Sequence, residues 1–202
     1  NAFGDEHVLL EANDRYVLGK PKIDQIDVRF ISDPNTMTAN ILSNAVDLTL
    51  GSNLSLEQSV DVRDQWRDGR MELTYASWIV IYPQFINPNP AMILDVRARR
   101  ALLMGIDRQA MADTIQKGLV PVAHSYLTPT DPEYAETESA LVKYDYDPQK
   151  AEQLMNEMGY NRGGDGTLRD AQGQPLHMEV RTTASPAIHT KTFFPMVDYW
   201  TR

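Results

Sequence analysis

From residue 75 to residue 94 the chain carries no charge. About 20 uncharged residues is the length of a helix that spans a bilayer. Here Pro83, Pro88 and Pro90 stand inside the run, with Gln84, Asn87 and Asn89 among them. A proline removes a backbone donor and clashes with the preceding turn, so no helix survives that many breaks. The run is therefore no membrane span. Its first part is rich in Tyr, Trp, Ile and Val, and residues 71–81 read as an extended strand. Residues 83–90 read as a loop.

The rest of the composition narrows the function classes. The chain has 202 residues, enough for one large domain or two small ones with a sizeable core. Apolar residues make up 42% and charged ones 23%, a globular mixture. Lys and Arg number 19 against 28 Asp and Glu, a net charge of −9. Sequence-independent binding of nucleic acid needs clustered cations to neutralise phosphates. The one dense basic group, Arg97, Arg99 and Arg100, lies inside a helical pattern, so nucleic acid is not an expected partner. Cysteine is absent, which removes disulfides, thiolate catalysis and cysteine-based metal centres together. No charged n-region with an apolar h-region opens the sequence, so no signal peptide is expected there.

Local signals place the elements. Residues 7–12 read as a short strand. In residues 23–31, Ile26, Val28 and Phe30 alternate with Asp27 and Arg29, the pattern of a half-buried strand. Ser32, Asp33 and Pro34 open a helix with Met37, Ile41 and Leu42 on one side. Residues 46–50 read as a second strand. Ser55 and Gln58 have the spacing of a capping box, and the helix they start is expected to run to Gly69. Asp95 and Asp107 cap two successive helices, broken between Gly105 and Asp107. Residues 120–136, with three prolines, form a long connector. Asp147 and Pro148 open a helix ended by Gly159, with Ala151, Leu154, Met155 and Met158 as its apolar stripe. Residues 167–169 and 176–182 read as strands. Ser185 and Pro186 open a last helix, which Pro195 is expected to kink or split. The chain stops mid-pattern, as a fragment does.

No strong catalytic motif is present. GxSxG and GxxxxGK[ST] are both missing. His7, His124, His177 and His189 fall in separate elements without a partner at i+4, so metal ligation is not expected. The glycines at 163, 164 and 166 follow a helix and precede a hairpin, the wrong order for a phosphate cradle. A calcium loop there lacks its closing Glu. Glu133, Glu136 and Glu138 read as a solvated stretch. The residues best suited to hold a ligand are aromatic: Trp78 and Tyr82 can stack on it and hydrogen-bond it. Core packing is the competing reading for both.

Taken in order, the segments resemble family 5 extracellular solute-binding proteins of ABC transporters, the oligopeptide-, dipeptide- and nickel-binding type. Asp95-Val96-Arg97-Ala98-Arg99-Arg100-Ala101-Leu102 through Ile106-Asp107-Arg108 is similar to the family's D-V-R-V-R-x-A-L-x-x-A-I-D-R. Tyr144-Asp145-Tyr146-Asp147-Pro148, Lys150-Ala151 and Gly159-Tyr160 follow its Y-D-P-x-K-A…G-Y. Asp165-Gly166 and Gly173-Gln174-Pro175-Leu176 resemble its D-G…G-K-P-L hairpin. Val8 to Tyr16 and Val28 to Asp33 extend the likeness toward the start. Two departures stand out. Asn44 or Ala45 occupies the place of the family's usual glycine before Val46-Asp47. Pro83 interrupts the ligand-facing strand and removes a main-chain donor there.

The resemblance implies a mixed α/β chain, a central fragment of the two-lobed class II periplasmic-binding-protein architecture. Residues 1–78 would be part of lobe one and residues 79–202 the first part of lobe two. It implies a non-enzymatic, monomeric protein, with no cofactor, metal or catalytic residue, outside the bacterial cytoplasmic membrane. Its partners would be a small solute, peptide-like before other kinds, and an ABC permease in the membrane. Ser52, Asn53, Trp78, Tyr82 and Gln84 become the solute-binding residues, whereas Arg97 and Asp107 are structural. The alternatives are a hydrolase acting on peptides or phosphate esters, marked by a nucleophile–base pair, and a chaperone-like peptide-binding module.

Overall fold

In the computed structural model, which describes residues 2–3, 7–50, 54–75 and 77–202, the chain divides into two units, Asn1–Leu73 and Thr74–Arg202. The first unit holds an antiparallel sheet of β1 (Ala2–Phe3), β2 (His7–Glu11) and β3 (Gln25–Arg29), in that order. Val8 lies opposite Val28 and Leu10 opposite Ile26, which gathers apolar residues on one face. On the other face Arg29 Nε donates to Asp27 Oδ2 at 2.9 Å, and His7 lies 3.1 Å from the same carboxylate. The Arg29 hydrogen bond, with the charges of Arg29 and His7, holds the Asp27 carboxyl below its ordinary range. The alternation along 23–31 is thus real. The expected half-burial is not: Ile26 is 47% and Phe30 62% exposed, so this face is open among the described residues.

Two helices make the first unit's core. α1 (Pro34–Leu42) starts where Asp33 accepts the Thr36 N–H at 2.7 Å. α2 (Leu56–Gln65) has the full capping box: Gln58 N–H donates to Ser55 Oγ at 3.2 Å, and Ser55 N–H to Gln58 Oε1 at 3.0 Å. Met37, Ile41 and Val62 are buried between the helices, with Trp66 and Leu54 against them. The helix ends four residues before Gly69, because Trp66 leaves the helical conformation. The Trp66 indole donates to Asn44 Oδ1 at 3.1 Å. Gly69 has a different task from the expected one. A Cβ there would come within 2.0 Å of the Trp66 ring, so only glycine lets the chain pass the indole.

In the second unit, α3 (Val96–Met104) and α4 (Arg108–Ile115) are separate helices, as expected. Asp95 accepts from the Arg97 N–H at 2.8 Å, and Asp107 from the Ala110 N–H at 2.9 Å. The Arg97 guanidinium also donates to Asp95, at 2.7 Å for the shortest contact, and these hydrogen bonds draw the Asp95 carboxyl down to about 2. A short helix, α5 (Tyr134–Thr137), and a 3-10 turn, Glu138–Ala140, interrupt the connector. Asp147 then caps α6 (Pro148–Glu157) by accepting the Lys150 N–H at 2.9 Å. β4 (Asn161–Arg162) and β5 (Leu168–Arg169) form a small hairpin.

The last helix, α7 (Ala187–Thr201), is a single element with Pro195 inside it, so of the expected kink or split the split does not occur. Packing of the turns after the proline accounts for this: Met196 is buried, and Trp200 Nε1 donates to Leu102 O at 2.8 Å. The second unit's core joins α3 to α6 through Ala101, Ala151, Leu154 and Met155, with Met158 and Leu176 packed against them.

Three expected strands are not strands. Residues 46–50, 71–75 with 77–81, and 176–182 enter no ladder among the described residues, apart from an isolated bridge at Pro175 and the Leu176 N–H bond to Leu168 O. Strand-forming composition creates a strand only where a neighbouring chain offers donors and acceptors. No described helix is long and apolar enough to cross a membrane.

Candidate functional site

The aromatic segment that opens the second unit is held from two directions. The Trp78 ring meets the Tyr126 ring edge-on, with centroids 5.4 Å apart and planes at 69°. Further along, the Arg99 guanidinium sits 5.3 Å from the centroid of Phe85. Arg99 is itself fixed by donating to Ile93 O and Leu94 O at 2.8 and 2.9 Å. Gln84 uses its amide locally, donating to Ile86 O at 2.7 Å. Tyr82 is 81% exposed and Trp78 43%. Neither ring is buried in a core of this unit. Ser52 and Asn53 lie outside the described residues.

Trp78 finds its partner in Tyr126 rather than four residues along its own segment. Tyr126 lies in the proline-bearing connector, where no periodicity marks it. An isolated aromatic among loop residues was its only signal in the sequence.

The connector is tied to α4 by Arg108. Its two terminal nitrogens donate to Ala123 O at 2.9 Å and Tyr144 O at 2.6 Å, so one side chain ties the start of the connector to the residues just before α6. Burial lowers the Arg108 pKa, and the Asp145 carboxylate opposes that shift. A pocket of about 150 Å³ opens beside it, lined among others by Asp107, His124, Asp145 and Tyr146. His124 is pushed below its ordinary value, first by burial and then by the charges of Arg108 and Lys143.

A larger open cleft of about 580 Å³ lies where Tyr75, Pro121, Pro129 and Tyr134 meet Gln109 and Glu138. Tyr134 and Glu138 are four residues apart across α5 and the 3-10 turn, so both reach the same side. Glu133, Glu136 and Glu138 are exposed, as expected of a solvated stretch, and Glu138 also borders the cleft. Together the segment and the cleft offer aromatic faces, half-exposed apolar groups and a few polar ends. Such surfaces bind small organic molecules by burial and orient them by hydrogen bonds. Among the described residues no group of three His, Asp or Glu side chains is arranged to hold a metal ion. One hydroxyl–imidazole contact, Thr183 Oγ1 to His189 Nδ1 at 2.6 Å, lies on an exposed surface at the start of α7.

Comparison with known proteins places these features in a family. The chain is 26% identical over 159 residues to heme-binding protein A of Haemophilus influenzae, an alignment covering 79% of this chain and 28% of that protein. It is 23% identical over 180 residues to the oligopeptide-binding protein AppA of Bacillus subtilis, covering 88% and 31%. The chain thus spans about a third of the length of the curated relatives it matches. Its fold superposes on the crystal structure of NikA from Brucella suis in complex with Fe(III)-EDTA with a TM-score of 0.74. That match has 22% identity and covers all of this chain and 40% of the other. The architecture is therefore that of a part of the class II periplasmic binding proteins. Residues 3–199 match the middle region of the bacterial extracellular solute-binding proteins, family 5, and the chain belongs to that family.

Proposed function

We propose that this chain serves the capture of a small solute outside the bacterial cytoplasmic membrane and its delivery to an ABC importer. The observation that carries the reading is the family match over residues 3–199, on a fold shared with solved binding proteins. The solute is peptide-like, in keeping with the oligopeptide-binding relative. Residues 1–78 contribute to one lobe and residues 79–202 to the other. Closure of such lobes on the solute creates the form that a permease recognises, a shift toward a state the ligand binds better. The protein works as a monomer, without a cofactor and without covalent chemistry.

Ser52, Asn53, Trp78, Tyr82 and Gln84 contact the solute in this reading. Support for the two rings is their exposure within an uncharged segment. The test is a thermal-shift screen of the full-length protein carrying this chain against a peptide library, since a ligand of the folded state raises its stability by mass action. Peptides are expected to raise the melting temperature, and Trp78→Ala and Tyr82→Ala each to weaken binding by kcal/mol amounts without an equal loss of apo stability. Peptide cleavage in place of binding would establish the hydrolase alternative. Normal binding with early melting in both variants would make the rings structural.

A further inference from the structure

We infer that the cleft between Tyr75 and Tyr134 is a binding site for a small organic ammonium ion, independent of the transport reading. The cleft holds about 580 Å³, within the range of small-molecule sites. Its walls are apolar or aromatic: Tyr75, Tyr134, Pro121 and Pro129. The two remaining side chains that matter are acceptors. Glu138 offers a carboxylate. Gln109 donates one of its two amide N–H bonds to Asp113 Oδ1 at 2.9 Å, and its Oε1 is a second acceptor on the lining. A lining with acceptors, phenol rings and no cation repels carboxylates and phosphates. It suits a ligand with an apolar body and a positively charged donor, which the ring faces also attract.

Lys143 pairs with this carboxylate and competes for it. Its Nζ stands 3.9 Å from Glu138 Oε1, with both side chains about half exposed. A pair that long and that wet contributes little, so a ligand ammonium in the cleft can replace it. The same pair marks where the ligand's charge belongs.

The test titrates the full-length protein carrying this chain with benzylammonium, benzyl alcohol and benzoate, three probes of one shape and different charge. Binding is followed by amide chemical shifts at Gln109, Gly118 and Tyr134. Benzylammonium is expected to bind about fivefold more tightly than benzyl alcohol, and benzoate more weakly than either. Glu138→Gln should remove the preference for the cation over benzyl alcohol. Lys143→Gln should strengthen benzylammonium binding, because the competing cation is gone. Equal affinities for the three probes, shift changes outside the cleft, or a Glu138→Gln chain that still prefers the cation would each overturn the site. An unchanged amide spectrum of the free variants confirms that the fold is intact.

Discussion

Single side chains decide where helices begin in this chain. Asp33, Ser55, Asp95, Asp107 and Asp147 each accept a backbone N–H two or three residues ahead. An Asp107→Ala variant loses the α4 cap and should destabilise the second unit by about 1 kcal/mol, read from urea unfolding followed by circular dichroism. Caps were legible in the sequence because donor and acceptor lie within one turn, so spacing alone identifies them. His124 was not legible in the same way. Its surroundings come from Arg108, 16 residues earlier, and Lys143, 19 residues later. The consequence is a pH dependence whose sign follows from linkage. The folded state resists protonating His124, whereas the unfolded chain takes the proton at the ordinary value of 6.5. Stability from this group is therefore full above 6.5 and declines as the pH falls through it. His124→Gln should flatten the fall in melting temperature between pH 7 and pH 5, as measured by differential scanning calorimetry.

Helices and strands differ in how much of them lies within their own residues. The apolar stripe of α6 and the break between α3 and α4 emerge as the sequence predicts, since both depend on contacts three or four residues apart. The strand expectations for 46–50, 71–81 and 176–182 fail because ladder bonds are made with distant segments. The four half-exposed residues Trp78, Ile79, Val80 and Ile81 show the reason directly. Had one face been covered, exposure would alternate; here neither face is. Of the site, the aromatic segment was legible from composition, and the contact of Tyr126 with Trp78 and the place of Tyr134 in the cleft were not, because an irregular connector has no period to mark its contacts. The packing of α3 against α6 offers a sharper measurement. Ala101 and Ala151 are both nearly buried in one cluster with Leu154 and Met155. Ala101→Leu inserts three carbons where there is no room and should cost about 1–3 kcal/mol. Equilibrium denaturation checks this, and an unchanged midpoint would mean that the helices separate easily.

At the scale of the whole molecule, the short span matters more than any residue. The relatives are roughly three times as long as the aligned part of this chain, and tight solute binding needs most of the ligand's surface buried. The 202-residue chain alone should therefore bind oligopeptides no more tightly than the millimolar range; calorimetry giving micromolar affinity would refute this. The uncovered segment from residue 77 to residue 86 has one more implication. It is free of charge, carries large apolar groups on both faces and joins no sheet among the described residues. Bare stretches of this kind act as templates on which a second copy can lay its own backbone. Residues 77–82, ahead of Pro83, are the part open to such pairing, and the missing N–H of Pro83 sets its limit.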